Sequence, residues 1–149
     1  MRARRRSRSS ARSGSISAPG SYPYVDASGL VKLVIPEEES AALRDELGRW
    51  PRLKSSALVR TEVVRAAAMV SRKARDVALE LVESIDLIGV DQEILDEAAR
   101  LEPPGLRSLD AIHLASALSL GKGLGVVVTY DRRLEEGARL AGLRVLAPR

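Results

Sequence analysis

The 149-residue chain has no cysteine and no phenylalanine. The first absence excludes a disulfide scaffold, a cysteine nucleophile and any thiolate-held metal or iron–sulfur site. The second leaves Trp50, Tyr22, Tyr24 and Tyr130 as the whole aromatic set, 3% of the residues. Proteins that stack single-stranded bases on aromatic platforms need more than this, which argues against an RRM-like or OB-like surface. The core must be aliphatic. No apolar run approaches the roughly 20 residues of a membrane helix. Residues 13–21 (SGSISAPGS) do not form the apolar stretch of a signal peptide. A cytoplasmic protein is therefore expected.

Charge is present but unevenly spread. The formal total is +4, from 24 bases and 20 acids. Residues 1–20 hold six arginines (Arg2, Arg4, Arg5, Arg6, Arg8 and Arg12) and no acid. The remainder carries 18 bases against 20 acids, a net of −2. Residues 1–21 are rich in Arg, Ser and Gly and cannot repay the entropy of folding. They are expected to form a disordered basic leader, either a solvated tail or an arm that touches RNA phosphates. Residues 22–149 are expected to form one domain.

Within that domain short β-like runs alternate with longer helical ones. Strands are expected over 22–26, 54–58, 85–90, 125–129 and 143–146. Helices are expected over 27–34, 37–47, 61–70, 73–84, 92–100, 108–120 and 131–141. Pro36 stops the first helix, and Glu37, Glu38 and Glu39 suit the first turn of the second. Ser108 is a suitable cap and Gly142 a suitable stop. Such alternation implies right-handed βαβ crossovers and a mostly parallel sheet covered on both faces. Sites in such sheets lie at the carboxyl ends of the strands.

Four acids stand where acids should be costly or aimed. Asp26 ends an apolar strand in Tyr24-Val25-Asp26-Ala27-Ser28. Asp110 sits in a helix that is apolar on nearly every side, Leu109 to Leu118. A buried, unpaired carboxylate costs several kcal/mol in effective terms. Asp131 follows Val126–Tyr130, and Glu62 opens a helix that runs on through Val63 and Val64. Either Asp26 and Asp131 simply cap the helices after them, or the four acids converge. Convergence of carboxylates without sulfur, with one histidine in the chain, suits Mg²⁺ or Mn²⁺ better than zinc.

These residues carry a resemblance. Tyr24 to Leu33 (YVDASGLVKL), Thr61-Glu62-Val63, Arg107 to Ala115 (RSLDAIHLA) and Val128 to Leu134 (VTYDRRL) resemble the motif set of the PIN domain. They are most similar to VapC toxins of bacterial type II toxin–antitoxin systems. The likeness covers about residues 22–147, in order and spacing. The last two motifs together are specific; a D-x-S after a strand is weak alone.

The resemblance implies a three-layer α/β/α sandwich of PIN type with a mostly parallel central sheet. It implies a metal-dependent endoribonuclease that cleaves a structured RNA, tRNA or rRNA, by metal-activated water. Asp26, Glu62, Asp110 and Asp131 match the family's four metal-holding, catalytic acids. Ser28 and Thr129 match hydroxyl residues that orient carboxylates. Mg²⁺, or Mn²⁺, is the implied cofactor. A small VapB-like antitoxin, an RNA substrate and a second copy of the chain are the implied partners. The basic leader departs from the pattern.

Three further residues stay open between two readings each. His113, one turn after Asp110, either faces the site, where it could touch RNA or antitoxin, or is a packed, hydrogen-bonded residue. Arg107 either contacts RNA phosphate or pairs with an acid near the helix start. Arg60 either receives an antitoxin acid or is solvated. Lys32 and Arg65 are expected at the surface. Gly121-Lys122-Gly123-Leu124-Gly125 lacks the spacing of a phosphate loop and reads as a turn. Leu30, Val31, Val34, Leu43 and Leu47 have the helical spacing of a packing or dimer surface.

Two other functions compete with the nuclease. One is a PIN fold that binds RNA or protein without cutting, which retention of all four acids disfavours. The other is a phosphorylated receiver domain, which needs paired acids at its first strand and a lysine after its last. Val25-Asp26-Ala27 and residues 143–149 supply neither.

Overall fold

The computed structural model describes residues 21–149. The expected leader therefore lies outside the described residues, except Ser21. That serine is buried.

Five strands form one parallel sheet: β1 (Tyr22–Val25), β2 (Lys54–Ser56), β3 (Asp86–Ile88), β4 (Leu124–Val128) and β5 (Val145–Leu146). Their order across the sheet is β3-β2-β1-β4-β5. The helices are α1 (Ala27–Val34), α2 (Ser40–Leu47), α3 (Val59–Val70), α4 (Arg72–Ser84), α5 (Gln92–Arg100), α6 (Ser108–Leu118) and α7 (Arg132–Leu140).

Alternation along the strands sends side chains to two cores. Val25, Val126 and Val128 pack with Leu30, Leu43, Leu47, Val59 and Val63, from α1, α2 and α3. Tyr24 and Val127 pack with Leu114, Leu134 and Ala138, from α6 and α7. The outcome is the expected three-layer α/β/α sandwich. Leu30, Val31, Val34, Leu43 and Leu47 belong to the first core, so their spacing reflects internal packing. No helix among the described residues is long and apolar enough to cross a membrane.

Sheet order also places a crevice. From β1 the chain first builds outward to β2 and β3, then returns to β4 on the other side of β1. Helix α1 leaves β1 toward one face and α7 leaves β4 toward the other. The carboxyl ends of β1 and β4 thus bound the kind of crevice where open α/β sheets place their sites.

Several boundaries differ from expectation for local reasons. Helix α2 starts at Ser40, so the three acids before it do not occupy its first turn. Glu37 and Glu39 instead pair with Lys32, whose ammonium also lies 4.8 Å from the centre of the Tyr130 ring. Lys32 is therefore 9% exposed and not the expected surface residue. Arg65 is exposed as expected. β2 ends at Ser56, whose hydroxyl accepts Leu58 N–H at 3.2 Å and turns the chain into α3. Gly121–Gly123 is a short 3₁₀ turn, as expected, but Leu124 and Gly125 already belong to β4.

Glycine matters at several positions, Gly29 and Gly142 among them. A Cβ on Gly29 would lie 2.7 Å from Val25 Cγ1, so glycine lets α1 lie close on β1. Gly142 has φ 79°, the left-handed stop expected after α7.

Candidate active site

Asp26 follows β1 and is 4% exposed. Its Oδ1 accepts Ser28 Oγ at 2.6 Å and Gly29 N–H at 3.1 Å. Its Oδ2 accepts Thr129 Oγ at 2.7 Å. Burial pushes this carboxyl above the usual range; the Ser28 and Thr129 hydroxyls, the nearby His113 and the Gly29 amide pull the other way. Hydroxyls suit this place because each can donate to a carboxylate and still accept from backbone. Ser28 Oγ accepts Tyr130 N–H at 2.9 Å, and Thr129 Oγ1 accepts Asp131 N–H at 3.0 Å. The loops after β1 and β4 are thereby stitched together around one carboxylate.

Asp131 caps α7. Its Oδ1 accepts Arg133 N–H at 2.8 Å and Leu134 N–H at 3.1 Å. Asp26 likewise caps α1 through Gly29. Capping and convergence are thus compatible: the cap fixes one oxygen of Asp131 and leaves the other outside these bonds.

Asp110 lies in the first turn of α6. Ser108 is not the cap. Arg107 occupies that position with extended backbone and no side-chain cap bond, and Ser108 is already the first helical residue. Burial raises the Asp110 carboxyl first, then the negative charges of Asp131 and Asp26; His113 and Arg107 act oppositely. Asp110 therefore feels the charges of both Asp131 and Asp26.

Glu62 joins through His113. The His113 ring is 3% exposed. Its Nε2 is 2.7 Å from Glu62 Oε1 and its Nδ1 is 2.7 Å from the Tyr24 hydroxyl. A surface contact of His113 with RNA or antitoxin is overturned, because the ring is buried and both nitrogens are engaged. The packed, hydrogen-bonded reading is the observed one. Tyr24, which sequence reasoning did not single out, is the partner. Its signal was a phenol in a central apolar strand, where a buried hydroxyl needs a mate. Burial, then the Asp26 charge, push the Tyr24 phenol upward.

The arginines stay outside this network. Arg60 is exposed and pairs with Glu83 of α4 at 2.8 Å. Arg107 is exposed beside Asp110. A hollow of about 500 Å³ between α5 and α6, lined by Glu93, Asp96 and Arg100, borders none of the four acids.

Among the described residues no three acid or imidazole groups close into a ready cage for an ion. The donor chemistry nevertheless fits a hard divalent cation. Every donor is oxygen, and the repulsion that Asp110 feels from Asp131 and Asp26 is what such a cation relieves. Mg²⁺ commonly takes only one or two carboxylates and keeps its waters, so an open arrangement suits it.

The PIN domain family profile matches residues 24–140, a span that contains all four acids. Ribonuclease VapC46 of Mycobacterium tuberculosis is 47% identical over 126 residues, covering 84% of this chain and 96% of its own. Ribonuclease VapC35 of the same species is 41% identical over 129 residues, with the same coverage. The crystal structure of PAE2754 from Pyrobaculum aerophilum has a TM-score of 0.52 and 24% identity, over 85% of this chain and 93% of that one, and shares the fold. The chain belongs to the PIN-domain family, among the VapC ribonucleases.

Proposed function

We propose that this protein is a divalent-metal-dependent endoribonuclease and the toxin of a type II toxin–antitoxin pair. One observation carries the reading: Asp26, tied to the loop after β4 through Thr129, and Asp131, which caps α7 after β4, both press their negative charge on Asp110 at the start of α6. The ribonuclease names of the relatives support it. In this reading Asp26, Asp110 and Asp131 hold Mg²⁺ or Mn²⁺, and Glu62 completes the acid set. When bound, the ion supplies activation of water and charge stabilisation for in-line attack on a phosphodiester.

The chain's own residues do the rest. Ser28, Thr129 and Gly29 favour the ionised form of Asp26 against its burial and fix the carboxylate in orientation. The Asp131 cap anchors its carboxylate to the start of α7. Arg107 offers an exposed cation beside Asp110, where an RNA phosphate could be drawn to the edge. A slightly acidic domain repels RNA until its carboxylates are neutralised, so metal and RNA binding are coupled in this reading.

The substrate is a structured RNA, tRNA or rRNA, selected by shape. The partners are a small VapB-type antitoxin and a second copy of the chain, and the protein acts in the cytoplasm. The test is cleavage by purified protein with and without EDTA. Cleavage is expected only with Mg²⁺ or Mn²⁺, and not in Asp26→Asn or Asp110→Asn. Full activity in EDTA would sink the metal mechanism. Normal growth of a host that expresses the wild type without antitoxin would favour a non-cleaving binding module instead.

A further inference from the structure

We infer that His113 is a positioning residue for Glu62, held by the Tyr24 hydroxyl as the tautomer that carries its proton on Nε2. The inference rests on the reading of Glu62 as a member of the metal-holding acid set.

A carboxylate only accepts hydrogen bonds. The 2.7 Å contact between His113 Nε2 and Glu62 Oε1 therefore needs a proton on Nε2. In a neutral ring Nδ1 must then accept, and the 2.7 Å contact with Tyr24 supplies a phenolic O–H. The nearby Ser55 and Ser116 hydroxyls commit their protons elsewhere, to the Val25 carbonyl at 2.6 Å and the Ile112 carbonyl at 2.8 Å. The order of donation is thus Tyr24 to His113 to Glu62. Tyr24 is fully buried and its ring meets the imidazole edge-on at 76°, so the imidazole cannot swing freely.

The consequence is a mechanical link. Glu62 comes from α3 on one face of the sheet, whereas Tyr24 and α6 belong to the other core. His113 reaches from the second core to fix Oε1, leaving Oε2 outside that bond. Outer partners of this kind orient a ligand and typically govern metal affinity 10–100-fold.

The single histidine makes the test clean. Full-length protein labelled with ¹⁵N-histidine gives one ring to observe by NMR. With the pH raised until the ring is neutral, the expected pattern is a proton on Nε2, with Tyr24→Phe mixing the two tautomers. A neutral ring protonated at Nδ1 overturns the inference. Mn²⁺ binding by calorimetry, with melting curves alongside, tests the link to the site. His113→Gln carries an amide near the place of Nε2, and His113→Asn near that of Nδ1. The Asn variant should bind Mn²⁺ about 10–100-fold more weakly and the Gln variant within about threefold of wild type. Equal binding, or equal loss, in both overturns the positioning role. Wild type that binds no Mn²⁺ overturns the metal reading and this role with it, and the ring signals tell that failure from a wrong tautomer.

Discussion

Thr129 donates its hydroxyl to Asp26 Oδ2 at 2.7 Å, joining residues 103 positions apart across the seam between β1 and β4. Thr129 Oγ1 in turn accepts Asp131 N–H at 3.0 Å. Thr129 is itself fully buried. Thr129→Val keeps the shape but strands both partners. A lost buried partner costs roughly 1–3 kcal/mol. Melting curves should therefore show clear destabilisation, and metal-dependent cleavage should fall about 10–100-fold, the usual effect of losing an outer partner. Thr129→Ser should recover most of both. A Val variant as active as wild type would remove Thr129 from the site.

The buried Asp26 carboxylate predicts a pH-dependent stability difference. Its carboxyl is raised in the fold, with burial as the leading cause. A group raised on folding is destabilised when ionised, so its cost is present above the folded value. That cost disappears as pH falls below the unfolded value of 3.8. In metal-free protein, Asp26→Asn should therefore melt above wild type near neutral pH. The gap should narrow as the pH is lowered toward the ordinary carboxylate range. A gap that widens on acidification would show that the donors from Ser28 and Thr129 outweigh burial. Mg²⁺ should reverse the order near neutral pH, because only wild type gains from binding it.

Much of this site was legible because its chemistry sits in local patterns. An aspartate after an apolar strand, a hydroxyl two residues on and an acid in an apolar helix each announce themselves. The layered fold followed from the alternation of short apolar strands with helices. What stayed hidden depended on long-range contacts. Lys32 looked solvated because nothing local reveals that Glu37 and Glu39 fold back onto it. His113 could be given only two readings, since its partners come from β1 and from α3, 89 and 51 residues away. The cap of α6 was misplaced by one residue because backbone torsion at Arg107, not side-chain type, decides where that helix starts.

The leader makes a separable prediction. Six arginines fall within residues 1–20. If they touch RNA, each neutralised phosphate contributes about 0.7 to the salt slope on a single strand, an upper bound of about four for the set. Deleting residues 1–20 should leave the cleavage rate at saturating RNA unchanged. The salt dependence of RNA binding should flatten by no more than that bound. Loss of cleavage at saturating RNA would make the leader part of the active site.

Asp131 allows its two roles to be separated. Its Oδ1 caps α7 through Arg133 and Leu134 N–H, while its charge acts on Asp110. Asp131→Asn keeps an oxygen for the cap and removes the charge. Asp131→Ala removes both, and loss of such a cap costs about 1 kcal/mol. Both variants should lose metal-dependent cleavage to a similar degree. Only the alanine variant should melt at a clearly lower temperature. Retained cleavage in Asp131→Asn, with an unchanged fold, would reduce Asp131 to a cap and leave Asp26, Glu62 and Asp110 to hold the ion.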